Sequence, residues 1–258
     1  MIQVASITFR YGKQQPIFKD FSWQTETGQT WAVIGASGCG KSTLLYLLAG
    51  LLQPATGQIL INRTAVACPR PQTGLILQDY GLLPWATLRH NITLGLDLRR
   101  FYGPDGKHSP VEMMPEDINF KVNRWLDQLG IADVADKYPG QVSGGQRQRA
   151  AIARTLVLEP DLLLLDEPFA SLDAPTRENL QNLVLHLHTE RLLTSVLVTH
   201  TIEEAVYIGE RILILKQQTN FKPRIIDNPY AGIMPPVQSD GYQTLTGMIR
   251  EELRESAQ

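Results

Sequence analysis

The chain has 258 residues, 43% of them hydrophobic, which is enough for a sizeable core in one large domain or two small ones. Lys and Arg number 24 against 26 Asp and Glu, and the net charge of -2 gives no broad attraction to nucleic acid or anionic lipid, so any membrane contact runs through protein. Cys39 and Cys68 lack metal-ligand spacing and are too few for a disulfide framework, the start MIQVASITFRYGK is not a signal peptide, and no apolar run nears the ~20 residues that span a bilayer, so a reducing cytosol is expected.

Alternating apolar and polar positions open the chain: Ile2, Val4 and Ile7, then Ile17, Phe18, Phe21 and Trp23, then Ile59 and Ile61, with turns expected at Gly12, Gly28 and Gly57. This period predicts antiparallel strands. Trp31–Ile34 is instead a continuous apolar run, as are Leu75–Leu77, Leu162–Leu165 and Ser195–Val198, which predicts parallel strands buried on both faces.

After the first of these runs stands Gly35-Ala-Ser37-Gly38-Cys39-Gly40-Lys41-Ser42-Thr43, a fit to GxxxxGK[ST] between an apolar strand and an apolar helix. Such glycines let backbone N–H groups close around phosphate oxygens at a helix N-terminus, Lys41 reaches the β/γ-phosphates, and Ser42 offers a hydroxyl to Mg²⁺. Cys39, lying among these donors, is expected to favour the thiolate and to be shielded from thiol reagents by nucleotide. Gln78 follows Leu75–Leu77, and beyond it Leu82, Leu83 and Trp85 lie in a Gly/Pro-punctuated segment that either docks a partner helix or packs internally.

Between Leu88 and Pro160 the pattern is helical, with Trp125, Leu126, Leu129 and Ile131 before Gly140 and an Ala/Ile/Leu-rich stretch from Ala150 to Leu158. Residues 103–117, GPDGKHSPVEMMPED, are expected to form an exposed loop. Val142-Ser143-Gly144-Gly145-Gln146-Arg147 precedes the Ala-rich helix, with Ser143 as N-cap and two glycines leaving backbone donors bare, a second anion site in one chain.

Asp166 and Glu167 follow Leu162–Leu165. An adjacent acidic pair is costly there unless a cation meets it, so Asp166 is read as the Mg²⁺-side carboxylate and Glu167 as the residue that orients and polarises water. His200 follows the run ending at Val198. Ligands of open α/β sheets gather beyond the carboxyl ends of strands, so Gly35, Gln78, the acidic pair and His200 can converge on one nucleotide. Arg211–Leu215 and Arg224–Ile226 predict a closing hairpin, and the Pro/Gly-punctuated tail ends in a short helix over Leu245–Arg254.

These motifs, in this order, resemble the ABC ATPases, whose signature LSGGQ is matched by SGGQ with Val142 in place of leucine. The resemblance implies an α/β fold: a P-loop NTPase, RecA-like core with an N-terminal antiparallel β subdomain and an inserted α-helical subdomain. On it, residues 1–226 form the ATPase domain, with core 1–87 and 161–226 and helices over 88–160, and 227–258 are a tail. It further implies that Tyr11 stacks on adenine, that Gln78 is the Q-loop glutamine contributing to catalysis and to Mg²⁺, that Ser171-Leu-Asp173 is the D-loop, and that His200 is the switch histidine. Two copies then pair head to tail, so that Ser143, Gly144, Gly145 and Gln146 of one close over the phosphate held by Lys41 of the other.

The stretch Leu77-Gln-Asp-Tyr-Gly-Leu-Leu-Pro-Trp85 looks like that of nitrate/sulfonate/taurine-type importer ATPases. This implies permease subunits as partners, a substrate-binding protein indirectly, no nucleic acid, and a peripheral place on the cytoplasmic face of the membrane. A non-transport ABC ATPase is the alternative, but the tandem cassettes, long coiled coil or basic arm of such proteins are not seen in the sequence.

Overall fold

The computed structural model describes residues 1–101, 115–170, 172–233 and 239–256. In chain order it runs through β1 (Ile2–Phe9), β2 (Phe18–Gln24), β3 (Thr30–Gly35), α1 (Lys41–Leu48), β4 (Thr56–Ile61), β5 (Thr64–Ala65) and β6 (Thr73–Ile76). Three helices follow, α2 (Leu88–Phe101), α3 (Pro115–Gln128) and α4 (Gly144–Leu156). The chain then continues through β7 (Leu162–Asp166), α5 (Ala174–Arg191), β8 (Thr194–Val198), α6 (Ile202–Ile208), β9 (Arg211–Leu215), β10 (Arg224–Asp227) and α7 (Asp240–Glu255). Two compact units result: Met1–Pro69 with Leu164–Glu167 and Leu180–Gln258, and Arg70–Leu163 with Pro168–Asn179.

In the first unit β1 pairs antiparallel with β2 and with β4, in the order β2-β1-β4-β5. The apolar positions of β1 fall on even numbers at Ile2 and Val4 but on odd numbers at Ile7 and Phe9, yet all four are buried. A bulge at Ser6, with φ of 46, resets the phase, and Asp20 at φ 50 does the same in β2, so that Ile7 pairs with Phe21 and Phe9 with Phe18. Gly57, read from sequence as a turn, lies inside β4: its φ of 81 and the close backbone of Ala5 and Ser6 leave no room for a Cβ.

The other sheet of this unit places β3 between β8 and β9, parallel to both, with β10 antiparallel to β9. Every residue of β3 and β8 is buried, as their unbroken apolar runs require. On one face α6 and α7 bring Ala205, Val206, Leu245 and Ile249 against Ala32, Ile34, Ile212 and Ile214. The last helix begins at Asp240, five positions before the sequence pattern suggests, because Tyr242 packs edge-on against Tyr230 at 5.9 Å.

The second unit is helical around β6 and the first two residues of β7. Leu88, Ile92 and Leu96 of α2, Val122, Trp125 and Leu126 of α3, and Ala150, Ala153 and Leu156 of α4 are buried. Residues 115–117 open α3 rather than extend a loop, since Pro at the first helical position loses no bond and Glu116 and Asp117 suit the positive helix end. The remainder of the expected 103–117 loop lies outside the described residues.

Candidate functional site

The first unit brings the phosphate-type loop, the acidic pair and the histidine together at the C-terminal ends of β3, β7 and β8. β3 ends at Gly35, where a Cβ would stand 2.5 Å from the Leu215 carbonyl and 2.6 Å from Cys39 Sγ. The loop turns through Gly38 at φ 80 and Gly40 at φ 104, a left-handed backbone that favours glycine at both, and Gly40 starts α1 with no side-chain cap. The first amides of α1 therefore keep their donors for an incoming acceptor. Ser37 and Gly38 are exposed. Lys41, nearly buried, lays its Nζ back across the loop and donates to Gly35 O at 2.8 Å and Ala36 O at 3.1 Å.

Cys39 departs from expectation. It is 2% exposed, and burial pushes its thiol up despite the Lys41 charge. The side chain is a neutral packing group and its backbone N–H already donates to Ala36 O at 3.3 Å, so shielding by nucleotide is not needed to keep the thiol unreactive.

Ser42 Oγ donates to Asp166 Oδ1 at 3.1 Å. Asp166 is 3% exposed; burial pushes its carboxyl up and the neighbouring Glu167 charge adds to this, while the Ser42 hydrogen bond and the Lys41 charge act the other way. Glu167 adopts φ 48, with its N–H bonded to Val198 O at 3.0 Å. That left-handed turn sets its Oε1 3.3 Å from Nδ1 of His200, whose ring is largely exposed. The Tyr11 hydroxyl lies 3.3 Å from Thr43 Oγ1, and its ring, 41% exposed, meets Phe9 edge-on.

Gln78, Ser143 to Gln146 and Asp173 belong to the second unit. Gln78 is exposed just beyond β6. Ser143 closes a reciprocal cap on α4: its Oγ accepts from Gln146 N at 3.2 Å, and its own N–H donates to Gln146 Oε1 at 2.9 Å. Gly144 and Gly145 carry the first amides of that helix without side chains above them. Asp173 caps α5 through Thr176 N at 3.4 Å, and the Thr176 hydrogen bonds hold its carboxylate below the usual range. Ser171 lies outside the described residues.

Two groups beside the loop escape sequence reasoning. Thr199 Oγ1 donates to the buried Glu204 at 2.6 Å and accepts from Thr201 N at 3.1 Å, fixing the turn that presents His200. Asn220, in the segment that joins β9 to β10, donates to the Cys39 carbonyl at 3.3 Å. Neither carries a motif, because the partners that bury them are set by folding.

The sequence family described as ABC transporter matches residues 18–170. The nitrate import ATP-binding protein NrtC of Synechococcus elongatus is 42% identical over 79% of this chain, which spans 29% of that protein's length. The aliphatic sulfonates import ATP-binding protein SsuB of Bacillus cereus is 38% identical over 83% of this chain and 80% of its own. Among solved structures, the dimeric post-hydrolysis state of the ATP-binding cassette MJ0796 bound to ADP and Pi superposes with a TM-score of 0.77 at 28% identity, covering 88% of this chain and 98% of that one.

Proposed function

The chain belongs to the ABC transporter family, and we propose on that premise that it binds and hydrolyses ATP to energise solute import through separate permease subunits. The observation that carries this reading is the Ser42–Asp166 hydrogen bond, which joins the phosphate-type loop to a buried carboxylate. A hydroxyl and a carboxylate oxygen at that spacing suit Mg²⁺, and the upward push on Asp166 is what an unmet positive charge would relieve. Ser42 and Asp166 would hold the ion; when bound, it neutralises charge on the phosphates.

The residues divide the remaining work. Lys41 exchanges its two carbonyl acceptors for phosphate oxygens, and the amides of Gly38 and of Gly40 to Thr43 receive the others, the Cys39 amide being bonded to Ala36 O. The exposed face of Tyr11 stacks on adenine. Glu167 accepts a proton from the water that attacks the γ-phosphorus, ADP leaves, and His200 holds the Glu167 carboxylate in line. Asp173 and the Ser143–Gln146 turn act on the nucleotide of a second copy, and the MJ0796 cassette is likewise dimeric.

No helix of the described residues is long and apolar enough to cross a membrane, consistent with a peripheral subunit whose permease contact includes Trp85, 75% exposed rather than packed internally. The names of the relatives support nitrate- or sulfonate-type import, with a substrate-binding protein acting indirectly and the cassette on the cytoplasmic face. The test is phosphate release and MgATP affinity of the purified chain beside Lys41→Ala, alone and with its permeases. Mg²⁺-dependent release and a large loss of affinity in the variant are expected, whereas equal affinity in both, with no release in either setting, rejects the reading.

A further inference from the structure

Asn220 stands in the segment between β9 and β10, 180 residues along the chain from the phosphate-type loop, and is 4% exposed. Its Nδ2 donates toward Cys39 O at 3.3 Å, Ile17 O at 3.3 Å, Lys216 O at 3.1 Å and Gln218 O at 3.3 Å, while Oδ1 accepts from Lys216 N at 2.8 Å. The opposite amide orientation would set Oδ1 against four carbonyls and Nδ2 against an N–H, so only this one is compatible with its surroundings. Its backbone adds two more ties, Asn220 N to Ile17 O at 2.8 Å and Lys19 N to Asn220 O at 3.0 Å.

Both loop-side partners matter to Gly40. The Cys39 carbonyl and the Gly40 N–H belong to one planar trans peptide, so fixing the carbonyl toward Asn220 fixes the Gly40 N–H on the side away from it. Ile17, gripped by the side chain and backbone of Asn220, is the wall that a Cβ at Gly40 would strike. Asn220 thus restrains the peptide and also the surface it rests on.

We propose that Asn220 is a positioning residue for nucleotide binding, holding the Cys39–Gly40–Lys41 backbone in its anion-receiving conformation before ATP arrives. The inference rests on the ATP-binding reading, and the loop's own rigidity provides a second readout that does not. In the full chain, Asn220→Ala and Asn220→Ser are compared with the unsubstituted protein by thermal unfolding, MgATP calorimetry, and the rate of Cys39 alkylation without nucleotide, the exposed Cys68 serving as internal reference. Expected in the folded variants are roughly tenfold weaker MgATP binding, the scale of a buried carbonyl losing its donor, and Cys39 alkylation accelerated relative to Cys68. The serine variant supplies the reading if the alanine variant does not fold. A folded variant with unchanged affinity and a protected Cys39 overturns the proposal, as does a fall in melting temperature alone or misfolding of both variants. If the unsubstituted chain binds no MgATP while the variants still unmask Cys39, the ATP-binding reading fails and the clamp on the loop stands.

Discussion

Asp166 is a carboxylate in a place that favours its neutral form. Its ordinary value of 3.8 is raised in the fold, chiefly by burial, so at pH between 3.8 and the folded value the native state holds a proton that the unfolded chain has released. Native stability therefore falls as pH rises through that window and carries the full penalty above it. Removing the charge while keeping the acceptor for Ser42 should reverse this. Without nucleotide or Mg²⁺, Asp166→Asn is expected to melt about 2–4 °C higher than the parent near pH 7, the shift that ~1 kcal/mol produces at this size, with the gap closing as pH falls toward 4. A variant that melts lower near neutrality would place the balance of Asp166 in its hydrogen bonds. Lys41→Ala should act chiefly on binding, because it removes the point charge set to meet the triphosphate; calorimetry should find MgATP affinity at least ~10-fold weaker, with a smaller fall in melting temperature from the buried Gly35 carbonyl left without its donor. The positions of Gly35, Asp166 and His200 were legible because each ends an unbroken apolar run. The side-chain direction of Cys39 was not, since the motif specifies backbone donors and leaves open whether a thiol points to ligand or core.

Elements were legible where one physical period held and obscured where it was reset. The β1 sequence reads as a strand, yet the two-residue period breaks between Val4 and Ile7, and only paired bulges at Ser6 and Asp20 reconcile both halves with one buried face. Gly57 looked like a turn for the same reason: a glycine that accepts the bulge opposite is indistinguishable in sequence from one that reverses the chain. The helix α3 starts earlier than its polar opening suggested, because proline and acidic residues signal both loops and helix N-termini. Inside the loop that joins β3 to α1, glycines differ in what they tolerate. A Cβ at Gly38 meets nothing within 4 Å, so Gly38→Ala carries only the strain of its φ of 80, whereas Gly40→Ala combines φ 104 with overlap on Ile17. Strain of this kind costs about 1–3 kcal/mol. Gly40→Ala should therefore melt below Gly38→Ala and bind MgATP more weakly; equal melting temperatures would mean that Ile17 yields without cost.

At the scale of the whole molecule, the proposed function assigns anion-receiving roles to two turns, the Gly35–Lys41 loop and the Ser143–Gln146 turn, but relies on one lysine, Lys41, and one base, Glu167. On the proposed function a two-fold pair would use each of them twice, giving two composite sites in which Lys41 of one copy and Ser143 of the other share a nucleotide. Glu167→Gln separates the steps of such a cycle. The glutamine keeps the size of Glu167 while losing its charge, and the Lys41, Ser42 and Asp166 contacts proposed to receive ATP are untouched. Binding should persist, and turnover should fall by ~10²–10⁴-fold, the usual cost of losing a positioned base. ATP that is held and not spent then favours the closed pair by mass action. Sedimentation of the variant with MgATP should show a dimer that disappears when ATP is withheld, alongside steady-state turnover near background. Near-parental turnover would remove Glu167 from the chemistry. Slow turnover without an ATP-dependent dimer would leave Glu167 as the base and remove Ser143 from the partner's site, because a nucleotide bound only by its own chain has no reason to hold two chains together.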